Sequence, residues 1–155
     1  MIRREDDGAW ITLRETIASH HEDVFECFTT ASGLTRWFPV AAEIDLRQGG
    51  EIVLGWDADF EKKTTIAILD YDPGGRIVWD WYGSSQDMDL HAPVYWEVTP
   101  AREEGAKVIM RQGPFRIETE SLLAMAEEAE SWRWYLCNLR SVLESRHDMR
   151  RVRPL

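Results

Sequence analysis

Apolar and polar residues alternate through the middle of the chain, from Val40 to Gln112. A period of two predicts β-strands with one apolar and one polar face. Glycine-containing turns separate the runs, at Gly49-Gly50 and at Asp72 to Gly75. Successive strands joined by short turns predict an antiparallel meander. We expect its six strands at Ala42 to Arg47, Ile52 to Trp56, Thr64 to Tyr71, Arg76 to Trp81, Val94 to Thr99 and Lys107 to Gln112.

A further strand and a short helix precede the meander. The stretch from Trp10 to Ala18 alternates, although Glu15 places a charge on its otherwise apolar side. Ser19, with Glu22 three residues later, is typical of a capping box, so we expect a helix that begins there and ends near Thr30.

Two more helices are indicated by the spacing of apolar residues. A second short helix carries Leu34, Trp37 and Phe38 and ends before Pro39, which cannot continue it. From Glu118 to Arg146 apolar residues recur every three or four positions, which predicts one long amphipathic helix. At about 1.5 Å per residue this helix is roughly 40 Å long, enough to cross a sheet.

These elements predict a single α+β domain over residues 1–155, with a curved antiparallel sheet of six to seven strands wrapped around the long helix. The apolar face of the sheet has to be covered, and this helix is the only long element available to cover it. Where helix and twisted sheet diverge, large side chains would line the gap. We expect residues 1–8 and 147–155 to be flexible ends.

Charge narrows the range of partners. Eighteen basic and 28 acidic residues leave a formal net charge of -10, which repels phosphate backbones and anionic lipids, so we expect neither nucleic acid nor membrane as a partner. No apolar run approaches the roughly 18 residues of a membrane helix, and we expect a soluble cytoplasmic protein. Cys27 and Cys137 are too few and too far apart for a disulfide framework or a zinc site and are expected to be buried thiols.

Aromatic residues are the main candidates for a binding site. The chain has eight tryptophans, and side chains of this size either fill a core or form the walls of a ligand pocket. The sequence has no metal-ligand spacing, phosphate loop or nucleophile elbow, so we expect no catalytic residue, cofactor or metal. The candidate lining residues are Trp37, Phe38, Trp56, Trp79, Trp81, Trp96, Phe115, Leu122, Met125, Ala129 and Trp132.

The polar residues near these aromatics divide into two groups. Alternation turns Asp80 away from the face that carries its two neighbouring tryptophans, so we expect it on the solvent side. Tyr82, His91, Tyr95 and Arg111 lie near strand ends or loops, where a cavity mouth would be, and are the candidates for a polar rim.

The order and spacing of several short motifs resemble those of a known family. They are RWFP at Arg36 to Pro39, LRQGGEI at Leu46 to Ile52, DYDPGGRIVWDW at Asp70 to Trp81, RQGPF at Arg111 to Phe115 and SWRWYLCNLRSVLE at Ser131 to Glu144. Together they resemble the Hsp90-ATPase-activator-homologue, or AHSA1-like, branch of the START-like (SRPBCC) superfamily. The resemblance implies a helix-grip fold with an internal hydrophobic cavity between the sheet and the C-terminal helix.

Three functions are consistent with this sequence. The first is binding of a small hydrophobic or aromatic molecule in the cavity, without catalysis, by a monomer or homodimer. The second is a polyketide cyclase-like or hydrolase-like enzyme, which would place a histidine, acid or arginine inside the same cavity; alternation predicts few or none there. The third is a chaperone accessory that contacts an Hsp90-type partner, ranked last because no segment corresponds to the contacting domain of the eukaryotic co-chaperone.

Overall fold

One antiparallel sheet of eight strands dominates the computed structural model, which describes residues 1–81 and 91–152. The strands are β1 (Ile2–Glu5), β2 (Gly8–Ile17), β3 (Ala41–Ile44), β4 (Glu51–Gly55), β5 (Lys63–Asp72), β6 (Arg76–Asp80), β7 (Val94–Pro100) and β8 (Ala106–Phe115). The α-helices are α1 (His21–Thr29), α2 (Ala31–Thr35) and α3 (Thr119–Ser145). The α+β helix-grip fold predicted from the sequence is confirmed.

Strands lie in the sheet in the order β1-β2-β8-β7-β6-β5-β4-β3. The predicted meander is confirmed as β3 to β8, because each of these strands pairs with its neighbour along the chain. The first predicted strand, now β2, pairs with β8 and places Leu13 opposite Met110. One face of the sheet is therefore continuous from β2 to β3, and its apolar side chains form the core.

The eighth strand, β1, was not predicted. Residues 1–8 were expected to be flexible, but Ile2 to Glu5 pair antiparallel with β2, Ile2 opposite Ile11 and Glu5 opposite Gly8. All four residues of β1 are exposed, so this edge strand is held by backbone pairing. It has no alternation of buried apolar residues from which the sequence could have predicted it. The Glu5 carboxylate also accepts a hydrogen bond at 2.7 Å from Arg111 of β8.

The two short helices begin differently from the sequence prediction. His20, and not Ser19, caps α1, and its Nδ1 accepts a hydrogen bond from the Glu22 N–H at 3.4 Å. Thr30 caps α2, where its hydroxyl accepts from Gly33 N–H at 2.9 Å. A side chain at Gly33 would place its Cβ 2.2 Å from the Glu26 carbonyl oxygen, so glycine is what allows α2 to turn back closely against α1.

The predicted second helix is shorter than expected. It ends at Thr35, so Trp37 and Phe38 follow α2 and are not part of it. The Trp37 indole N–H is held by the Cys27 carbonyl oxygen at 2.8 Å. This segment between α2 and β3 brings two large aromatic side chains over the inner face of the sheet.

Helix α3 covers the inner face mainly along β2 and β8, while α1 packs on β7 and β8. Glu15, the charged exception on the apolar side of β2, meets α3 there: Arg133 lies 3.1 Å and Arg140 lies 3.0 Å from its carboxylate oxygens. The Glu15 side chain is only 13% exposed. Two arginines thus supply the opposite charge that a largely covered carboxylate requires.

Residues 148–150, which follow α3, also make specific contacts with the rest of the fold. Residues 147–155 were expected to be flexible, but Met149–Arg151 form a short 3-10 helix. The Arg150 guanidinium donates to the carbonyl oxygens of Thr35 (2.7 Å), Phe38 (3.1 Å) and Pro39 (2.9 Å). We call this contact the C-terminal clasp, and it ties Arg150 to the segment between α2 and β3.

Two further side chains orient the clasp. Arg150 donates to the Asp148 carboxylate at 2.8 Å, and buried Asn138 of α3 donates to the Trp37 carbonyl oxygen at 2.9 Å. The Asn138 amide oxygen accepts from Met149 N–H at 2.7 Å. The buried amide is therefore satisfied on both sides, and the clasp is joined to the middle of α3.

The clasp should be sensitive to acid. Hydrogen bonds from Arg150 hold the pKa of the Asp148 carboxyl at about 2, below its usual 3.8. A depressed pKa contributes stability that is fully present above about pH 4 and is lost as the pH falls through about 2. We expect Asp148→Asn to unfold more easily than wild type at neutral pH, and the difference to shrink between about pH 4 and about pH 2 in urea titrations.

Asp59→Asn is the matched control, because Asp59 is an exposed acid in the loop between β4 and β5. It should leave the free energy of unfolding nearly unchanged over the same pH range. A difference between wild type and Asp148→Asn that stays constant down to about pH 2 would contradict the assignment.

Candidate ligand-binding site

Nine aromatic side chains meet between the inner face of the sheet, α3 and the segment after α2. Neighbouring ring centroids lie 4.8 Å apart for Phe38 and Tyr135, 5.3 Å for Trp79 and Trp96, and 5.4 Å for Trp96 and Trp132. We call this set the aromatic cluster. Its members are Phe28, Trp37, Phe38, Trp56, Trp79, Trp81, Trp96, Trp132 and Tyr135.

Alternation and register place the tryptophans of the sheet. Trp79 of β6 lies opposite Val94 of β7, and Ile77 lies opposite Trp96, so the two indoles are diagonal neighbours on the inner face. Trp132 of α3 approaches them from the other side. All three indoles are at most 2% exposed, so the centre of the cluster is fully covered.

Four residues in or against the cluster are less covered than its centre, and we call these four its half-exposed side. Trp56 and Trp81 are only half-buried, as are Leu122 and Ala129 on α3. The Trp81 ring lies 6.0 Å from Phe38 and 5.0 Å from Trp132 between centroids. Apolar side chains of the sheet and of α3 therefore remain partly accessible at these four residues.

The eleven residues predicted to line a cavity are all in or against the core. Phe115 and Met125, the two not yet described, are 0% and 5% exposed. Phe28 and Tyr135 belong to the same cluster but were not among the predicted residues. That these side chains bind a ligand stays a prediction.

Gln112 is the polar residue of the cluster that the sequence prediction missed. It is fully buried, its amide oxygen accepts from the Trp132 indole N–H at 2.9 Å, and its amide N–H donates to the Ala92 carbonyl oxygen at 3.4 Å. The sequence could have predicted that Gln112 faces inward, because it lies two and four residues after Met110 and Val108, which face inward in β8.

Two indole N–H groups of the cluster have no acceptor. The Nε1 atoms of Trp79 and Trp96 each expose less than 1 Å² and have no hydrogen-bond partner. By contrast, the Trp56 indole donates to the Thr64 hydroxyl at 2.9 Å. Ser121, at the start of α3, is also buried with an unpartnered hydroxyl. A buried donor without an acceptor is costly, so these groups call for an explanation.

Tyr95 and Arg111, predicted for a polar rim, lie on the outer face of the sheet. They are opposite each other in β7 and β8, one residue out of phase with inward-facing Trp96 and Met110, so both side chains point away from the cluster. Arg111 covers the Trp10 ring at 4.4 Å. These side chains border a surface pocket of about 360 Å³ on the opposite side of the sheet.

The other two residues predicted for the polar rim are Tyr82 and His91. Tyr82 lies outside the described residues. His91 is exposed, and its Nδ1 lies 3.6 Å from an Asp80 carboxylate oxygen, which is too long for a hydrogen bond. Asp80 points away from the cluster as alternation predicts, yet its side chain is only 18% exposed. Its Oδ1 atom is buried without a hydrogen-bond partner, so Asp80 does not lie on an open solvent face.

A larger pocket, of about 570 Å³, lies where β2 meets the C-terminal half of α3. Its charged lining includes Glu15 and Glu144, both of which pair with Arg140 at 3.0 Å. These contacts stabilise the junction of helix and strand. The charged side chains that line this pocket distinguish it from the aromatic cluster, which consists of aromatic side chains alone.

Cys27 is a buried thiol of α1. Burial raises the pKa of the Cys27 thiol to about 11, which keeps it protonated and unreactive at neutral pH. Within residues 1–81 and 91–152, no group of three or more metal-ligating side chains is arranged to hold an ion. In the same ranges, no helix is both long and apolar enough to span a bilayer.

Comparison with known proteins identifies the family. Residues 18–144 match the family described as activator of Hsp90 ATPase homolog 1-like protein. The chain belongs to this family. The match covers most of the sheet and nearly all of α3, as the resemblance of the sequence motifs predicts. No curated protein matches the chain.

Several solved structures share the fold of this family member. The Aha1 dimer from Colwellia psychrerythraea is 18% identical with a TM-score of 0.73, over 88% of this chain and 96% of that one. A protein from Staphylococcus saprophyticus is 20% identical with a TM-score of 0.75, over 91% and 96%. An Hsp90 activator from Plasmodium falciparum is 20% identical with a TM-score of 0.65, over 86% and 95%. These identities show the fold alone.

The hydrogen bond between Trp132 and Gln112 should stabilise the family member's core. Trp132→Phe keeps an aromatic ring but leaves a buried amide oxygen without its donor, so we expect the free energy of unfolding to fall by about 1–3 kcal/mol. Trp134→Phe, two residues away on the half-buried side of α3, should cost clearly less. Equal losses for the two variants in urea denaturation would contradict a role for this bond.

Proposed function

We propose that the protein binds a small apolar, aromatic molecule between the inner face of the sheet and α3. The observation that carries the proposal is the aromatic cluster, with a covered centre and a half-exposed side at Trp56, Trp81, Leu122 and Ala129. Large flat rings at a partly open edge offer stacking surfaces that a planar ligand matches. In this proposal the protein acts in the cytoplasm, as its sequence predicts.

Burial of apolar area would supply most of the affinity. Each 100 Å² of ligand surface removed from water contributes about 2.5 kcal/mol before the costs of ordering and association. The centre of the cluster is filled by Trp79, Trp96 and Trp132, so a ligand enters by moving rings at the half-exposed side. We propose that Phe38 and Trp81, whose ring centroids lie 6.0 Å apart, move away from each other to admit the ligand.

A binding role is favoured over an enzyme by the polar side chains that face the core. The buried polar residues of the described ranges are Thr29, Gln112, Ser121 and Asn138. Amides and hydroxyls orient a ligand by hydrogen bonding, but general acid–base catalysis needs a group that titrates near neutral pH. The cyclase-like alternative therefore has less support than the binding proposal.

Intrinsic tryptophan fluorescence tests the proposal directly. We expect saturable quenching by at least one member of a panel of aromatic polyketides, flavonoids and fatty acids. Trp81→Ala removes a wall of the half-exposed side and should weaken that binding about tenfold or more, the effect of losing roughly 1.4 kcal/mol. Trp134→Ala, half-buried on the same helix as Trp132, is the matched control and should bind normally. No quenching across the panel would overturn the proposal.

A second candidate, a chaperone accessory, is favoured by family membership and by the fold shared with the Plasmodium falciparum Hsp90 activator. In that case the purified protein should stimulate the ATPase activity of an Hsp90 in a coupled assay. Trp81→Ala should leave this stimulation intact if it uses the surface and not the interior. No stimulation, and no co-purification with Hsp90, would eliminate this candidate.

A further inference from the structure

The two unpartnered indoles at the centre of the aromatic cluster indicate what kind of ligand fits it. Building on the proposed function, we infer that the ligand is an uncharged aromatic carbonyl compound whose oxygen accepts hydrogen bonds from the indole N–H groups of Trp79 and Trp96. Both donors are on the inner face of adjacent strands, with ring centroids 5.3 Å apart and planes inclined by 62°.

These two donors differ from three other indoles of the cluster, which have acceptors. Trp37 donates to a backbone carbonyl at 2.8 Å, Trp56 to a hydroxyl at 2.9 Å and Trp132 to an amide oxygen at 2.9 Å. The chain thus provides acceptors for three indoles and none for Trp79 and Trp96. A buried donor without an acceptor is unfavourable, and a ligand acceptor would remove that cost for both indoles.

A carbonyl oxygen is the kind of acceptor that these two donors lack. It has two lone pairs, so it can accept from two donors at once. Each indole nitrogen exposes less than 1 Å². The ligand oxygen therefore has to displace side chains that now cover these nitrogens, which agrees with the proposal that rings move when the ligand enters. Ketones, quinones and flavone-type rings combine such an oxygen with a flat apolar body that stacks on the cluster.

The charges around the cluster favour an uncharged ligand over a carboxylate. No lysine or arginine is among the buried residues of ranges 1–81 and 91–152. Arg150 donates to the carbonyl oxygens of Phe38 and Pro39, and it is engaged by Asp148. A carboxylate placed between the two indoles would be a buried charge without a counter-charge, which is strongly unfavourable.

A matched pair of tricyclic probes tests the inference. Fluorenone and fluorene have nearly the same shape, but only fluorenone carries a carbonyl oxygen; a fluorene carboxylate supplies the charged arm. We expect fluorenone to bind about threefold to tenfold more tightly than fluorene by calorimetry, the effect of roughly one net hydrogen bond, and the carboxylate to bind more weakly than both.

Indole signals in proton–nitrogen correlation spectra report the donors themselves. With fluorenone, the Trp79 and Trp96 N–H signals should move downfield, while that of Trp10, which donates to Asp7 on the outer face at 2.9 Å, should stay in place. With fluorene, neither signal should show this hydrogen-bond shift. Assignment uses Trp79→Phe, Trp96→Phe and Trp10→Phe.

The same variants provide the affinity test. Trp79→Phe and Trp96→Phe each keep a ring and remove one donor, so fluorenone should lose its advantage over fluorene while fluorene binding persists. Trp10→Phe should preserve the advantage. A variant that fails to fold does not end the test, because the wild-type spectra with the probe pair report the same contact.

The outcomes separate the two proposals. Binding of fluorene and fluorenone with equal affinity, or indole signals that already sit at hydrogen-bonded positions without a probe and do not move, would overturn the carbonyl inference and leave aromatic binding intact. Binding of neither probe, together with no quenching across the ligand panel, would overturn the proposed function and the inference with it.

Discussion

Side chains have to fill the space between the twisted sheet and the single long helix. Most other features of this structure depend on which side chains fill that space. Helix α3 packs mainly along β2 and β8, so the inner faces of the strands beyond them need another cover. Aromatic rings from the sheet, from α3 and from the segment after α2 provide it. Interiors are packed as densely as organic crystals, so the size of these rings sets the separation of sheet and helix.

Filling a core with tryptophan brings polar groups into it. A buried indole adds an N–H donor that has lost contact with water. Trp37, Trp56 and Trp132 donate to a backbone carbonyl, a hydroxyl and an amide oxygen. Trp79 and Trp96 are exceptions. Natural proteins break such local rules mostly at functional or strained sites, which is why the exceptions carry more functional information than the rest of the cluster.

Charged contacts surround this apolar centre and hold its frame. Glu15 joins β2 to α3 through two arginines, and the C-terminal clasp joins Arg150 to the carbonyl oxygens of Phe38 and Pro39. Both sites involve the C-terminal half of α3. The segment that carries Trp37 and Phe38 is therefore positioned by polar contacts at its backbone and by ring packing at its side chains.

Local pattern determined much of this protein. The period of two specified β3 to β8, the recurrence at three and four specified α3, and parity separated Asp80 from the tryptophans on either side of it, because these periods follow from backbone geometry alone. The same parity would have placed Tyr95 and Arg111 on the outer face of the sheet. The prediction that they form a polar rim relied on their nearness to strand ends, which was less reliable than parity. Only tertiary structure decided the rest: the pairing of exposed β1, the arginine partners of Glu15, and which indoles find an acceptor. Those outcomes depend on contacts between residues far apart in the chain, and no local period encodes such contacts.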